Sequence, residues 1–238
     1  MRGRWHPPIV AGMTTDTLQL DPVSDVRTWA HVFAAIYDPS LWIGERAGMR
    51  RYRHDLLTQA RGRTLEIGSG TGLNLPHYPD DLDELVLAEP DPSMRKRLQT
   101  AVRRSEHKAR VINAPAEQLP FADASIDTVV STLVLCTVDA PDLALREIAR
   151  VLRPDGQLLL IEHVRSDSPL LARWQDRLAR PWQRFAEGCR CNRATLELMD
   201  ACGFRVDARA AAWGAMPPII RPLAIGRATI PATRGQAA

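Results

Sequence analysis

The segment spanning residues 65–72 (LEIGSGTG) is the part of the sequence best suited to bind a ligand. Its glycines at Gly68, Gly70 and Gly72 let the backbone approach a ligand closely, and a helix that begins there would offer unpaired N–H groups. A tight turn without a ligand is the alternative interpretation. An apolar run precedes the loop, a helical pattern follows it and Glu89 lies 21 positions after Gly68. Together these features favour a nucleotide-like ligand.

The type of nucleotide follows from the residues around the loop. A dinucleotide fingerprint would have a small residue at position 73, where this chain has Leu73, so NAD is disfavoured. Glu89 is expected to end the second strand, where its carboxylate could accept hydrogen bonds from two ribose hydroxyls. Glu66 is placed to receive an ammonium group. This combination fits an adenosine that carries an amino acid and no phosphate.

The elements that must position these residues alternate along the chain. Short apolar runs predict strands at 63–67, 85–88, 109–113, 128–132 and 157–161. Helical patterns lie between them at 72–78, 93–104 and 141–152. Such alternation predicts a doubly wound α/β fold with a mostly parallel sheet. Further helices are predicted at 169–185 and 193–201, and further strands at 204–208 and 223–228.

The whole chain is typical of one globular domain. It has 238 residues, of which 45% are hydrophobic and 25% charged, and its formal net charge is +3. We expect a disordered arm over 1–25 and a single domain over 26–238. That domain divides into a helical preface (26–60), a cofactor-binding half (61–165) and an acceptor-side part (166–238). The chain lacks an apolar span or secretory signal, so a cytoplasmic location is expected.

Five segments together resemble the ordered motif series of the class I S-adenosylmethionine-dependent methyltransferases. They are 66–72, 89–90, 116–120, 127–132 and 150–156. The resemblance implies a seven-stranded sheet, S-adenosyl-L-methionine as the cofactor and an enzyme that transfers a methyl group. It also implies that the 68–72 backbone holds the methionine part and that Glu89 holds the ribose. Further cofactor-binding residues predicted on this basis are Tyr37, Asn74, Pro90, Met94, Ala116, Glu117, Thr132 and Leu133.

Other segments resemble the alkyl-thiol methyltransferases of the methyltransferase-like group, and they bear on the methyl acceptor. These are 37–38, 74–79, 131–138, 161–164, 181–189 and 221–223. The resemblance implies S-methylation of a small apolar thiol. The alternatives are O- or N-methylation of a quinol, phenol or phospholipid headgroup, and a regulator that binds S-adenosylmethionine without turnover.

Two residues are candidates for catalysis. A thiol with a pKa of about 8.5 is already partly ionised at neutral pH, so methyl transfer requires mainly alignment and a dry site. His163, predicted at the carboxyl end of the fifth strand, could take the proton or fix the acceptor, and a structural histidine is the alternative. Tyr37 could close over the sulfonium, and simple packing is the alternative there.

Several other types of chemistry are excluded or disfavoured by the residues present. The sequence after the fourth strand, STLVLC, lacks the Pro-Pro-aromatic cluster of amino-base methylation, and neither a Pro-Cys dipeptide nor a CxxxCxxC cluster exists. We therefore expect no nucleic-acid partner. The spacing of the cysteines at 136, 189, 191 and 202 fits no metal site or disulfide framework, so they are interpreted as reduced thiols without a catalytic role.

The predicted helix at 169–185 is both amphipathic and basic. The favoured interpretation is a lid whose apolar side covers the core or the acceptor pocket, with its arginines in solvent. Contact with an anionic membrane surface is the less favoured alternative. The expected partner is therefore a small-molecule acceptor.

Overall fold

The structure is a computed structural model that describes residues 42–231. Tyr37, the arm over 1–25 and the first part of the helical preface lie outside the described residues. Their predicted roles stay predictions.

The described residues form a seven-stranded sheet whose order is β3-β2-β1-β4-β5-β7-β6. The strands are β1 (Arg63–Ile67), β2 (Glu84–Ala88), β3 (Ala109–Ile112), β4 (Ile126–Thr132), β5 (Leu152–His163), β6 (Arg205–Ala212) and β7 (Pro222–Thr229). Only β7 runs against its neighbours, since it pairs antiparallel with both β5 and β6. The predicted doubly wound, mostly parallel seven-stranded sheet is confirmed.

Helices cover both faces of this sheet. They are α1 (Arg50–Leu57), α2 (Pro92–Arg104), α3 (Pro141–Val151), α4 (Pro169–Phe185) and α5 (Thr195–Ala201), and a π-helical turn over Glu45–Met49 precedes α1. Apolar residues of α3 and α5 belong to the core on one face, and those of α1 and α2 belong to the core on the other. Because the central strands are buried on both faces, they appear in the sequence as short continuous apolar runs.

Two predicted elements differ from the structure. The helix predicted over 72–78 is wrong, because only a 3-10 turn over Leu75–His77 forms there. Pro76 is the second residue of this turn, and the chain is already extended at Tyr78, just before Pro79. The strand predicted over 157–161 begins earlier, because β5 starts at Leu152 and contains an irregularity where Ile126 pairs with Leu152 and Thr128 pairs with Gln157.

The carboxyl ends of β1 and β4 lie side by side, because Ile67 pairs with Ser131. The strand order reverses direction at this point, with β2 on one side of β1 and β4 on the other. Open α/β sheets bind ligands outside the carboxyl ends of their strands at such a switch point. Within residues 42–231, no helix is long and apolar enough to cross a membrane.

Candidate active site

A pocket lies at the carboxyl ends of β1 and β4. It is lined by Arg53, Glu66, Gly68, Ser69, Gly70, Thr71, Leu73, Asn74 and Thr132. Five of these residues were predicted from the sequence, namely Glu66, Gly68, Gly70, Asn74 and Thr132. The fold therefore brings together residues that are 66 positions apart in the chain.

The three glycines of the loop meet three different requirements. At Gly70, which has a φ of +55°, a Cβ would meet no atom within 4 Å, so this side of the loop is open. At Gly68 a Cβ would lie 2.7 Å from Val134 Cγ2, which shows that the loop packs closely against the segment after β4. At Gly72 a Cβ would lie 3.0 Å from Leu98 Cδ1 in α2. Gly72 therefore allows the loop to pack on a helix.

Glu89 shapes the loop and keeps free acceptor positions. Its side chain is buried, and one carboxylate oxygen accepts the Gly70 N–H at 2.7 Å while the other accepts the Asp91 N–H at 2.8 Å. Burial raises the pKa of Glu89, although these two N–H groups act in the opposite direction. An ionised carboxylate has about four acceptor positions, so each oxygen can still accept a hydroxyl hydrogen bond.

Glu66 is the centre of a buried polar network. Asn74 Nδ2 donates to one of its oxygens and Tyr78 OH donates to the other, both at 2.8 Å. Asn74 Nδ2 also reaches Thr132 Oγ1 at 3.0 Å, which connects the loop with the end of β4. Burial raises the pKa of Glu66 from 4.5 to about 7. A nearby cation would favour its ionised form.

Arg53 is a pocket residue that the sequence analysis missed. It comes from α1, is 4% exposed, and donates to Asn74 Oδ1 at 2.7 Å and to Glu45 Oε1 at 3.0 Å. Its guanidinium gives the pocket a fixed cation that suits a ligand carboxylate. The neighbouring arginines at 50 and 51 are exposed. The spacing of Arg53 from Met49 and Leu57 indicates the buried side of the helix, but it does not show which residues Arg53 contacts.

Four predicted cofactor contacts lie next to other strands. Pro90 and Met94 follow β2, where Asp91 caps α2 by accepting the backbone N–H groups of Ser93 and Met94. Ala116 and Glu117 follow β3. None of these four predicted contacts is among the residues that line the pocket. Their contacts with the cofactor stay predictions.

The segment after β4 forms the wall of the site beside Gly68, and a buried carboxylate holds it. Leu133 adopts a φ of +61°, a conformation that is unusual for a residue other than glycine. Glu162 of β5 is completely buried and accepts hydrogen bonds from Ser131 Oγ at 2.6 Å and from the Val134 N–H at 3.0 Å. It also accepts the Leu135 N–H at 3.1 Å.

Arg193 holds the same segment from its carbonyl side. Its guanidinium donates to the carbonyl oxygens of Leu135 and Val138. Neither Glu162 nor Arg193 was predicted from the sequence, although Glu162 lies within 161–164, a segment that resembles the alkyl-thiol methyltransferases. A charged residue inside an apolar strand was the one available signal, since a carboxylate is rarely buried without several donors.

Three cysteines lie on the far side of this segment. Cys136, Cys189 and Cys191 form a buried apolar cluster with Ile220. The sulfur atoms of Cys136 and Cys189 are 3.8 Å apart, and the Arg190 N–H donates to the Cys136 carbonyl at 2.8 Å. The loop after α4 therefore packs directly on the segment after β4.

His163, the second catalytic candidate, does not border the pocket. It is buried at the end of β5 and stacks on Trp213 with a centroid distance of 5.6 Å. Within the part of the chain that the structure describes, its Nδ1 has no hydrogen-bond partner. Burial lowers the pKa of His163 from 6.5 to about 4, so the imidazole is neutral at neutral pH.

Comparisons with known proteins agree with the geometry. A protein-family model described as a methyltransferase domain matches residues 65–160. Human thiol S-methyltransferase TMT1B is 34% identical over 168 residues, which are 66% of this chain and 68% of that protein. Phosphatidylethanolamine N-methyltransferase of Cereibacter sphaeroides is 33% identical over 172 residues, which are 68% of this chain and 78% of that protein.

A solved structure supports the fold. An S-adenosylmethionine-dependent methyltransferase from Thermotoga maritima superposes with a TM-score of 0.60 over 84% of this chain and 98% of that chain, at 22% identity. Identity this low bears on the fold alone. Thiol S-methyltransferase TMT1B of the rat is 36% identical, and the chain spans 59% of its length.

Proposed function

Because the chain belongs to the class I S-adenosylmethionine-dependent methyltransferases, we propose that it methylates the sulfur of a small apolar thiol. The observation that carries the proposal is the 34% identity with human thiol S-methyltransferase TMT1B over 68% of that protein. S-adenosyl-L-methionine is the cofactor, and when bound it supplies an activated methyl group on a sulfonium.

The pocket and Glu89 beside it fit this cofactor. Glu89 has free acceptor positions for the ribose hydroxyls, and the open side of Gly70 leaves room beside the backbone. Glu66 would hold the amino group and Arg53 the carboxylate of the methionine part, since both side chains line the pocket. Opposite charges on the two walls match the zwitterionic amino acid.

The surroundings of the acceptor side support a thiol. The segment after β4 packs on the buried cysteine cluster, and both Leu133 and Trp182 pack against that cluster. An apolar thiol would be held there by exclusion of water, and its ionised form would be aligned with the sulfonium. His163 does not border the pocket and burial lowers its pKa to about 4, so we propose that the thiol reacts in its ionised form without a base from this histidine.

A second candidate function is N-methylation of a phospholipid headgroup. It is favoured by the 33% identity with the Cereibacter sphaeroides phosphatidylethanolamine N-methyltransferase over 78% of that enzyme. An amine acceptor must lose a proton, so that reaction would need a base. The two candidates differ in the acceptor atom and in the requirement for a lipid.

The test is a matched panel of acceptors. The purified chain is incubated with methyl-labelled S-adenosylmethionine and with an alkyl thiol, the corresponding alcohol and phenol, and phosphatidylethanolamine vesicles. We expect label in the thioether alone. Label confined to the amine or oxygen acceptors would contradict the thiol proposal, and cofactor binding without any transfer would favour a regulator. Glu89→Ala, checked for folding by circular dichroism, controls for a contaminating methyltransferase.

A further inference from the structure

Helix α4 exposes several large apolar side chains, although its apolar side, with Leu171, Trp174, Leu178, Trp182 and Phe185, was expected to cover the core or the acceptor pocket. Leu170 is 68% exposed, Trp174 50%, Leu178 36% and Phe185 57%. These residues recur at helical spacing, so they lie along one side of the helix. Leu170, Trp174 and Leu178 therefore form an exposed apolar stripe, and Phe185 at its end is exposed but also packs on the Trp182 ring at a centroid distance of 5.7 Å. The lid interpretation therefore does not account for this side of α4.

A second, buried side of the same helix fixes its rotation. Gln175 is completely buried, and its Nε2 donates to the carbonyl oxygens of Cys191 at 2.9 Å and Ile219 at 3.0 Å. Its Oε1 accepts the Ser166 N–H at 2.8 Å. Turning the exposed stripe inward would break these buried hydrogen bonds, so the outward orientation belongs to the folded state.

A row of arginines lies beside the stripe. The exposed arginines of α4 are Arg173, Arg177, Arg180 and Arg184. Within residues 42–231, none of these four arginines forms an ion pair. The one acidic residue of the helix, Asp176, already accepts a hydrogen bond from Arg165 at 2.8 Å. The face therefore combines apolar side chains with four uncompensated positive charges.

We propose that this face of α4 docks on an anionic lipid surface. Leucine, tryptophan and phenylalanine side chains would enter the boundary between headgroups and acyl chains, and the guanidinium groups would bind lipid phosphates. A helix that combines a tryptophan-containing apolar side with a basic side is typical of proteins that lie in this interface. The uncompensated charge favours an anionic surface over a neutral protein partner.

The docking face is connected to the active site. The loop that follows α4 contains Gly188, where a Cβ would lie 3.3 Å from the Thr137 carbonyl oxygen, and Cys189, whose sulfur lies near that of Cys136. Thr137 and Cys136 belong to the segment after β4 that forms a wall of the site. A docked helix would therefore bring the acceptor side close to the lipid. This consequence rests on the proposed function, whereas the docking itself does not.

The experiment is co-sedimentation of the chain of residues 1–238 with lipid vesicles in the absence of cofactor and acceptor. We expect binding to vesicles that contain phosphatidylglycerol, weaker binding at high salt, and little binding to phosphatidylcholine alone. Since each arginine near an anionic surface contributes about fivefold in affinity, Arg177→Gln combined with Arg184→Gln should weaken binding about 25-fold. Trp174→Ser should weaken binding at both low and high salt.

Matched controls lie elsewhere on the surface. Trp42 is 58% exposed and Arg104 is exposed at the end of α2. Trp42→Ser and Arg104→Gln should bind vesicles as the parent does. All variants should keep the parent's circular dichroism spectrum and its activity on a water-soluble thiol.

Three outcomes would overturn the proposal. One is equal binding to neutral and anionic vesicles, and another is binding that the α4 variants leave unchanged. The third is that the parent chain binds no vesicles. Acrylamide quenching of Trp174 fluorescence, taken as the difference between the parent and Trp174→Phe, would then show Trp174 to be shielded. That result would assign the stripe to a protein contact, with residues 1–41 or with a second copy. Because the vesicle assay contains no thiol, absence of vesicle binding can be distinguished from absence of thiol methylation.

Discussion

Glu89 accepts hydrogen bonds from two backbone N–H groups and is proposed to accept them from the ribose hydroxyls as well. Glu89→Ala removes the acceptor for two backbone N–H groups and for the ribose hydroxyls, and hydrogen bonds to a charged group contribute about 1.5 to 3 kcal/mol each. We expect cofactor affinity to fall tenfold or more, since about 1.4 kcal/mol is a factor of ten. Isothermal titration calorimetry measures the change.

The matched control for Glu89→Ala is Cys191→Ala. Cys191 lies in the buried cluster behind the segment after β4 and does not line the pocket, so its loss should leave cofactor affinity nearly unchanged. A Glu89→Ala variant that is folded and binds S-adenosylmethionine as tightly as the parent would contradict the placement of the ribose.

The raised pKa of Glu66 predicts a pH dependence in both stability and binding. Because its pKa is about 7 in the folded chain, whereas that of a free glutamate side chain is 4.5, the folded state holds the proton more tightly. Its contribution to the free energy of unfolding is therefore fully present below about pH 4.5 and is lost as the pH rises through about 7. Glu66→Gln should flatten this part of the stability curve, as measured by urea unfolding at several pH values.

The affinity for the cofactor should depend on pH in the opposite direction to the stability. The cationic amino group favours ionised Glu66, so binding releases a proton and affinity should rise between about pH 5.5 and about pH 7.5. Calorimetry in buffers of different ionisation enthalpy counts the released protons. An affinity that is equally flat in the parent and in Glu66→Gln would place the amino group elsewhere.

The sequence predicted some of these residues and missed others for a physical reason. Glu66, Gly68 and Gly70 could be identified because their function depends on local spacing within one loop. Arg53 could not, because its contacts with Asn74 and the pocket arise only when α1 packs against the loop. For residues that act through contacts between distant elements, a single sequence does not show which partners they meet.

At the scale of elements, the segment after β4 is held by one carboxylate and one guanidinium. Replacing Glu162 by alanine would leave Ser131 Oγ and the backbone N–H groups of Val134 and Leu135 buried without an acceptor, and each such group costs about 1 to 3 kcal/mol. We expect Glu162→Ala to lower the free energy of unfolding by several kcal/mol. Glu162→Gln should have a smaller effect, because its amide oxygen still accepts.

Urea unfolding monitored by circular dichroism tests this prediction. Glu197→Ala, which removes an exposed carboxylate from α5, should change the stability by less than about 0.5 kcal/mol. Equal stability of Glu162→Ala and Glu197→Ala would show that the segment after β4 does not depend on the buried carboxylate.

The elements also show where sequence patterns suffice. The bounds of α4 agree with the predicted 169–185, because Pro169 begins the helix and a clear amphipathic pattern follows. The pattern did not reveal which side of the helix is buried, because the buried side is anchored by a polar residue, Gln175. The helix predicted over 72–78 failed because the prolines at 76 and 79 limit it to one turn.

At the scale of the whole molecule, the site, the segment after β4 and α4 lie at one edge of the sheet. The strand order places the cofactor pocket between β1 and β4, and β5 leads from Glu162 and His163 directly toward α4. Cofactor binding and acceptor access therefore depend on neighbouring elements of the same edge. Stability should respond to the cofactor as a property of the whole fold.

A thermal-shift experiment tests this coupling and the choice of cofactor together. At a concentration of 100 times its Kd, a ligand that binds only the folded chain stabilises it by about 2.7 kcal/mol, which corresponds to roughly 5 to 10 °C in Tm for a chain of this size. S-adenosylmethionine should produce such a shift, and Glu89→Ala should reduce it at the same concentration. NAD should produce none, because Leu73 occupies the position where a dinucleotide fingerprint has a small residue. A shift with NAD as large as that with S-adenosylmethionine would contradict the assignment of the pocket to a cofactor without phosphates.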